Sequence, residues 1–525
     1  MIKFILFLTF LILAYMNYRH LNIGFLSLYS IDEYAFHGSL LNMYEGLINF
    51  DIRKLFSFGF YSYGFVFFFL NLLGVAPFLA SDNIEISIYI PRLITSIFAI
   101  GTLWFLYKIA REYTDRNSSI LITLLVIAMP GFWRNAFWFH PDWMMVFFIV
   151  LSIYFFAKDN FEYKKLFWFA IISLAFAISV KIQAITFLPF LLVYMFYENF
   201  QQKNFKGLIG RIKTFIKSIA VVLGIFIFTN PYLAHPTGLK AFVNMFKANI
   251  ESNATNHGNI GEVAISDKIS NAIDFYYLDT LLFVFVLILS LITIFLVLKK
   301  DTKKTIIPLV AIYFIANIVY LFLMVNKDWQ HYYLAIFTVI PLVFIFLIQK
   351  FNTYKNFILA ATLIFQIATH LNEYKSVFTK GYDDNKEISN EKQNKISNEL
   401  ISTLKPYIDH NTNILISPYQ PFDFRIIGLS YKNIFVIYGP LSLDGIDINA
   451  YVEKLNSKDL TKFRQKDFIV LSKQDIYFDS EKLVKQVNQD GFKKALEIIE
   501  NLNSGGDLGY EKFKETEHFY IWRKK

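Results

Sequence analysis

The sequence predicts a multi-pass α-helical membrane protein with a C-terminal extracytoplasmic α/β domain. Three observations predict this class. Of the 525 residues, 55% are hydrophobic and 59 are phenylalanine, and the mean hydropathy is +0.41, so a soluble globule would lack the polar surface that it needs. Apolar runs of membrane-spanning length recur through residues 1–371. After residue 371 the apolar runs become short and β-branched, as in water-soluble domains.

Eleven apolar runs approach or reach the length needed to cross about 30 Å of hydrocarbon. They lie near residues 2–19, 88–108, 117–133, 143–157, 166–180, 183–198, 214–229, 277–298, 305–324, 333–348 and 356–371. Another apolar stretch, at 58–80, is predicted to form an interfacial or re-entrant helix, because counting it as a span would invert every later connection. The alternative is an ordinary span together with one misjudged segment elsewhere. No small-residue cleavage site follows the first run, so we expect it to remain as a span.

Basic residues predict which side of the membrane each connection faces. Five connections carry 17 Lys and Arg residues, and they lie at 108–116, 158–165, 203–217, 299–304 and 350–355. The positive-inside rule makes these connections cytoplasmic and the alternating ones extracytoplasmic. With a cytoplasmic N-terminus and an odd number of spans, the C-terminal domain then lies outside the cell (inner or plasma) membrane. Because the formal charge of +9 is concentrated in these clusters, nucleic acid is not an expected partner.

Residues 372–525 have the pattern of a small α/β unit. Strands are predicted at 413–417, 434–438 and 467–472, and helices near 391–404, 450–456 and 481–502. The polar stretch 382–395 is predicted to be a linker.

Two neighbouring carboxylates, Asp32 and Glu33, follow the first span on the predicted outer side. A positioned carboxylate can accept a proton from an acceptor hydroxyl group, which makes this pair a candidate general base. Adjacent side chains point apart, so one is expected to meet the substrate while the other orients its surroundings. The alternative is an N-terminal helix cap with an acidic first turn, which would be favoured for the pair in isolation.

A second carboxylate, Asp142, begins a later run on the same predicted side, in a connection that also holds Arg134 and His140. An acid beside a guanidinium group suits recognition of a phosphate or a hydroxylated acceptor. Pro141 and Asp142 could also simply cap a span, Arg134 could be an interfacial residue with its charge in water, and the structural role is favoured for His140.

Lys181 lies between two apolar runs at their outer ends, against the positive-inside bias. It is a candidate anion site for a lipid-linked phosphate, and an isolated interfacial lysine is the equal alternative. Another polar group on the predicted outer side consists of Lys327, Asp328, His331 and Tyr332. His331 and Tyr332 are candidates for substrate contact, and ordinary loop chemistry is a nearly equal alternative for the group. The outer connection 230–276 is long enough to shape an acceptor site or to form a lid.

Metal and thiol chemistry have little support in the sequence. The chain has no cysteine, and it lacks the paired-histidine spacings of common metal sites. We therefore expect no required cofactor and predict no metal ligands. A divalent cation stays open, because Asp32 and Asp142 could bind one if the fold brought them together.

Several of these segments resemble the family 39-like GT-C glycosyltransferases, which use polyprenyl-phosphate donors and include protein O-mannosyltransferases and lipid A aminoarabinose transferases. The resemblance covers roughly residues 1–371. It is carried by Asp32-Glu33, the Arg134 to Asp142 connection leading into Trp-Met-Met-Val-Phe-Phe, the Lys181 turn, Thr229-Asn230-Pro231-Tyr232, and His331-Tyr332-Tyr333-Leu334 with Pro341. One departure is Tyr61-Ser62-Tyr63-Gly64, where the family often has Pro-Pro-Leu.

The resemblance implies a GT-C-like hexosyl or pentosyl glycosyltransferase that transfers sugar with inversion. In this interpretation Asp32 is the base, Glu33 and Asp142 shape the acceptor side, and Arg134 and Lys181 hold the donor phosphate. The expected partners are a polyprenyl-phosphate-linked sugar, membrane lipids, and a lipid, glycan or protein acceptor. Two alternatives stay open. A transporter or flippase of lipid-linked glycans would place its carboxylates within spans, and a glycan polymerase or ligase would use a similar donor.

Overall fold

The computed structural model divides the chain into two compact units. The first comprises Met1–His20 and Asp32–Asp383, and the second comprises Leu21–Ile31 and Asp384–Lys525. The structure describes all residues except 21–30, 57, 80–83, 203–206, 256–263, 275–276, 298–304, 327–328, 379–394, 417–421, 423, 430–432, 437–465 and 473–508. The predicted boundary at residue 371 falls at the first residue of a short helix, Leu371–Phe378, that belongs to the first unit.

The described part of the first unit is helical. Its helices are α1 (Ile2–His20), α2 (Ile31–Ile48), α3 (Ile52–Phe56), α4 (Phe65–Leu79), α5 (Ile84–Tyr113), α6 (Arg116–Ile127), α7 (Pro130–Asn135), α8 (Asp142–Asp159), α9 (Lys165–Val180), α10 (Leu188–Gln202), α11 (Leu208–Thr229), α12 (Pro236–Thr255), α13 (Ile265–Asp274), α14 (Thr280–Val297), α15 (Ile307–Met324), α16 (Leu334–Val339), α17 (Phe344–Lys350), α18 (Lys355–Thr369) and α19 (Leu371–Phe378). Short 3-10 segments include Ile182–Phe187, Pro231–Ala234, Gln330–Tyr332 and Ile340–Val343.

Among the described residues, three helical stretches are long and apolar enough to cross a membrane: Ile86–Tyr113, Leu208–Thr229 and Ile307–Met324. Shorter apolar helices account for most of the other predicted spans. Each of the eleven apolar runs contains helix, but two are interrupted at prolines. The run 117–133 breaks before Pro130 and the run 333–348 breaks at Pro341, because proline lacks the N–H that would continue the helix. The number of crossings stays a prediction.

Helix α8 packs against α5 and against α9. Small residues permit their close approach. A Cβ atom added at Gly101 of α5 would lie 2.8 Å from the Phe147 ring of α8. Between α8 and α9, the Ser152 hydroxyl group donates a hydrogen bond to the Ala170 carbonyl oxygen at 2.9 Å.

The segment before α4 joins the C-terminal end of α9. The Gly64 N–H donates to the Val180 carbonyl oxygen at 2.8 Å, and the backbone of Tyr63 pairs with that of Lys181 as an antiparallel bridge. A Cβ atom at Gly64 would lie 1.4 Å from the Ser179 carbonyl oxygen, so this approach requires glycine. Helix α4, within the predicted interfacial segment 58–80, thus begins beside the end of α9. Its orientation in the membrane stays a prediction.

The described residues of the second unit form a five-stranded mixed sheet. Its strands are β1 (Ile414–Ile416), β2 (Ile434–Val436), β3 (Phe468–Ser472), β4 (Tyr510–Glu515) and β5 (Phe519–Lys524), in the order β2-β1-β3-β5-β4. Strand β1 is parallel to β2 and β3, whereas β5 is antiparallel to β3 and β4. In register, Ile414 is opposite Ile434 and Phe468, and Val470 is opposite Ile521.

The three predicted strands correspond to β1, β2 and β3, and residues 395–404 are helical. The predicted helices near 450–456 and 481–502, and the predicted linker except for Lys395, lie outside the described residues. The placement of this domain outside the membrane stays a prediction.

Candidate active site

Asp142 is a buried carboxylate at the beginning of α8. Pro141 is the residue before the helix, and Asp142 falls in the first turn, where the helix dipole favours negative charge. Only 1% of Asp142 is exposed. Its Oδ1 atom accepts a hydrogen bond from Lys181 Nζ at 2.7 Å, and its Oδ2 atom contacts His140 Nδ1. The carboxylate is therefore neutralised by a cation rather than left alone in an apolar interior, where it would be costly.

Lys181 occupies the end of α9, with extended backbone at φ −152°. Its side chain is buried, and its ammonium nitrogen lies 5.4 Å from the centre of the Tyr63 ring and 5.5 Å from that of Tyr332. Both rings are within the range of a cation–π interaction. The sequence-predicted residues Asp142, Lys181 and Tyr332 are thus brought together, and Tyr63 joins them from the segment that the backbone bridge holds in place.

Glu33 is fixed by three hydrogen bonds in the interior. Arg92 of α5 donates from Nε to Oε1 at 2.8 Å and from Nη2 to Oε2 at 2.6 Å. The backbone N–H of Phe139 also donates to Oε1, at 2.8 Å. Glu33 therefore connects α2 to α5 and to the segment that leads to Asp142.

Asp32 is the first neighbour of Glu33 in the opening turn of α2. Its side chain lies outside the described residues, so its position relative to Asp142 and its assignment as the base stay predictions.

Arg92 was not predicted as a site residue, because it falls inside the apolar run 88–108. The signal that could have identified it is a charged residue within such a run, since a buried charge needs a partner. Arg92 has no exposed surface.

Two histidines complete a buried polar cluster around Asp142. The rings of His140 and His331 lie 4.8 Å apart, and Trp138 stacks on His140 with ring centres 4.4 Å apart. Three potential metal-ligand atoms lie within 4.8 Å of one another, one each from His140, Asp142 and His331. The sequence did not predict this group as a possible metal site, because His331 is remote from His140 along the chain.

The His140–Asp142–His331 group fits a divalent metal in the identity of its donors, since imidazole and carboxylate suit several such ions. The Lys181 ammonium group, however, already contacts Asp142 Oδ1. A cation would have to compete with it for the carboxylate. A divalent cation is therefore compatible with these residues, in competition with Lys181.

The remaining predicted residues are placed as follows. Arg134 lies in the last turn of α7 and is partly buried, and its role in phosphate binding stays a prediction. Tyr332 accepts a hydrogen bond at its carbonyl oxygen from Gln183 Nε2 at 3.4 Å. Lys327 and Asp328 lie outside the described residues. Asn230, part of the quoted resemblance, accepts a hydrogen bond from the Phe65 N–H at its Oδ1 atom.

Comparison with known proteins identifies a matching family and solved structures with a similar fold. Residues 68–234 match the family described as dolichyl-phosphate-mannose-protein mannosyltransferase. The fold is similar to that of ArnT from Cupriavidus metallidurans bound to undecaprenyl phosphate, with a TM-score of 0.54 and 9% sequence identity over 87% of this chain and 86% of ArnT. The chain shares its fold with ArnT. This confirms the resemblance inferred from the sequence.

Two further solved structures are similar to this chain at low sequence identity. The apo state of the same ArnT matches with a TM-score of 0.52 and 9% identity over 93% of this chain and 92% of that chain. The oligosaccharyltransferase from Archaeoglobus fulgidus matches with a TM-score of 0.47 and 13% identity, over 89% of this chain and 69% of its own. A search of curated protein sequences found no match. The sequence-matched segment 68–234 contains Arg92, Asp142 and Lys181 of the candidate site.

Proposed function

We propose that this chain is an integral membrane glycosyltransferase that moves a sugar from a polyprenyl-phosphate donor to a hydroxyl group of an extracytoplasmic acceptor. The observation that carries the proposal is the hydrogen bond from the Phe139 N–H to Glu33 Oε1 at 2.8 Å. It joins the acidic pair after the first helix to the segment that begins α8 at Asp142. The matched family is that of dolichyl-phosphate-mannose-protein mannosyltransferases, and the similar ArnT structure is bound to undecaprenyl phosphate, which supports a lipid-phosphate donor.

In the proposed reaction Asp32 is the general base. The acceptor oxygen attacks the anomeric carbon from the face opposite the phosphate, and the bond between that carbon and the phosphate oxygen breaks. The electron pair leaves with the polyprenyl phosphate, and the hydroxyl proton passes to the Asp32 carboxylate. A single displacement of this kind inverts the anomeric configuration. Glu33, held by Arg92 and by the Phe139 N–H, would set the backbone from which Asp32 projects.

Lys181 is proposed to offset the negative charge that grows on the departing phosphate. An ammonium group has three N–H donors, and the described contact with Asp142 uses one of them. A buried, oriented cation stabilises a developing anion more than a solvated one does, because it needs no reorganisation during the reaction. Arg134 would bind the same phosphate, and Asp142 would hold Lys181 in position.

His140, His331 and Tyr332 are proposed to contact the sugar or the acceptor. The two imidazole rings and the Tyr332 ring adjoin the Asp142–Lys181 pair, and polar aromatic side chains of this kind hydrogen-bond and stack against sugars. The transferred group is proposed to be a hexose or pentose, and the acceptor a lipid, a glycan or a protein. We place the reaction on the extracytoplasmic side of the cell membrane, together with the second unit.

The decisive experiment replaces Asp32 by Asn and follows labelled sugar as it leaves a polyprenyl-phosphate carrier in membranes that contain the variant. We expect transfer to fall by about 100-fold or more, as is typical when a general base is lost. Glu162→Gln is the matched control, because Glu162 pairs with Lys164 at an exposed position beyond the other end of α8. Undiminished transfer by Asp32→Asn would refute the base assignment. Equal loss in the control would show that the assay reports protein quality instead.

A further inference from the structure

Helix α12 presents an apolar stripe that the rest of the first unit leaves exposed. The stripe consists of Leu239, Val243, Phe246 and Ile250, and each of these residues is between 40% and 56% exposed. Their spacing of four, three and four residues places them on one face of a helix. An exposed apolar face of this regularity marks an interaction surface rather than isolated surface hydrophobic residues.

The flank of α12 that lies away from Lys240 and Lys247 is packed against the end of α11. The Phe242 ring lies 5.9 Å from the Phe226 ring and 6.3 Å from the Tyr232 ring. A Cβ atom at Gly238 would lie 2.1 Å from the Tyr232 carbonyl oxygen, so the beginning of α12 approaches the backbone closely. These contacts fix which face of α12 is turned outward.

The apolar stripe continues an apolar surface that α11 already exposes. Leu223, Ile227 and Phe228 near the end of α11 are exposed, and α11 is one of the described helices that can cross a membrane by length and composition. Only the short segment Pro231–Ala234 and His235 separate the two helices. The surface that faces lipid on α11 therefore adjoins the stripe on α12.

Two lysines accompany the stripe along one flank. Lys240 and Lys247 are exposed, and because they are seven residues apart they lie on the same side of the helix. Asn244 continues the polar side. An apolar face bordered by lysines is the pattern of a helix that lies in the plane of a membrane interface, with its apolar residues at the acyl boundary and its ammonium groups among the headgroups.

We propose that α12 lies in the membrane interface at the end of α11, with Leu239, Val243, Phe246 and Ile250 inserted at the acyl boundary and with Lys240 and Lys247 bound to the phosphates of anionic lipids. The lysines give the surface a preference for anionic headgroups, because basic residues near a membrane are attracted by its negative surface potential. A soluble partner or a second copy would instead cover the stripe by protein contact.

The chain contains no cysteine, so a single introduced cysteine can be labelled without background. Phe246→Cys places a nitroxide on the stripe, and Asn244→Cys places one on the polar side as a matched control. The full-length protein is reconstituted in phosphatidylcholine vesicles with or without phosphatidylglycerol, and collision rates with oxygen and with a water-soluble nickel chelate are measured by electron paramagnetic resonance. We expect the label at residue 246 to have a high collision rate with oxygen and a low collision rate with the nickel chelate. The label at residue 244 should show the reverse.

Two further results decide the proposal. Equal nickel accessibility at residues 244 and 246, or dipolar broadening between residue 246 labels of two copies, would overturn it. Phosphatidylglycerol should move the label at residue 246 deeper into the bilayer. This shift should be lost in the Lys240→Gln/Lys247→Gln variant. It should be kept in Lys512→Gln, which removes an exposed lysine from β4. A shift that survives the double substitution would overturn the assignment of the lysines. Because no step measures sugar transfer, these results are independent of the proposed function.

Discussion

Glu33 and Arg92 form a buried ion pair with two parallel hydrogen bonds, at 2.8 and 2.6 Å, between α2 and α5. Planar guanidinium and carboxylate groups joined in this way restrain both distance and orientation. The same carboxylate accepts the Phe139 N–H, so one side chain sets the mutual position of three segments. The Glu33–Arg92 ion pair therefore holds three segments of the candidate site together, and Arg92 is a positioning residue.

Breaking the Glu33–Arg92 ion pair should destabilise the protein strongly. Arg92→Met or Glu33→Gln leaves one buried partner without its counterpart, which typically costs about 3–5 kcal/mol. We expect a large fall in the midpoint of thermal unfolding of the purified protein in detergent. Glu45→Gln is a control on the same helix, because Glu45 pairs with Lys54 where both side chains are about one third exposed, and such pairs contribute about 0–1 kcal/mol. Similar losses in the three variants would contradict the role given to Arg92.

Asp142 and Lys181 should behave as one unit in a double-mutant cycle. Asp142→Asn leaves a buried cation, and Lys181→Met leaves a buried anion, so each single substitution should be costly. The double variant removes both charges, and we expect its loss of unfolding free energy to fall short of the sum by about 1–3 kcal/mol. The exposed pair Glu162–Lys164 gives the comparison cycle, with a coupling near zero. Additive losses at Asp142 and Lys181 would rule out the ion pair.

The ammonium group of Lys181 should also limit cation binding by His140, Asp142 and His331. In Lys181→Met the Asp142 carboxylate is no longer occupied by the ammonium group, so we expect tighter binding of Zn²⁺ than in the unmodified protein. Binding is measured by competition with a chromogenic chelator, and the increase should vanish when Asp142→Asn is added. If Lys181→Met binds no more Zn²⁺ than the unmodified protein, these three residues do not form a cation site that Lys181 blocks.

The sequence predicted the helical composition of the first unit well, because apolar content alone identifies the segments that form buried or lipid-facing helices. It did not predict the contacts between them. Asp142 and Lys181 were both singled out, but nothing in their separation along the chain indicates that they pair. Arg92 was overlooked because its neighbours are apolar, although this same setting requires an acidic partner. The grouping of His140 with His331 depends on tertiary packing for the same reason.

In the second unit, too, the sequence predicted some elements and missed others. The strands β1, β2 and β3 were predicted because short apolar β-branched runs have few other uses. The hairpin formed by β4 and β5 was missed, since the residues of β4 are mostly exposed and polar. Its stability rests on pairing with β5, which in turn is paired to the buried β3.

Stability of the second unit should fall in acid through Glu399 and His518. Burial raises the pKa of the Glu399 carboxyl group, but hydrogen bonds from Thr516 and from the side chain and backbone of His518 outweigh it, so the pKa lies below its ordinary value of 4.5. The backbone N–H of His518 donates to Glu399 Oε1 at 3.0 Å, and the Nδ1 atom of the His518 ring lies 2.5 Å from Glu399 Oε2. These bonds tie the helix 395–404 to the turn between β4 and β5.

Because the folded pKa is depressed, the stabilisation from Glu399 is fully present above pH 4.5 and is lost as the pH falls through the lower folded value. We therefore expect amide hydrogen exchange in β5, corrected for its intrinsic pH dependence, to accelerate below pH 4.5. Glu399→Gln cannot ionise, so its β5 exchange should be faster at neutral pH and should change less in acid. Glu515→Gln is the control, because Glu515 pairs with Lys512 at an exposed position. An acid response that is unchanged in Glu399→Gln would assign the effect to other groups.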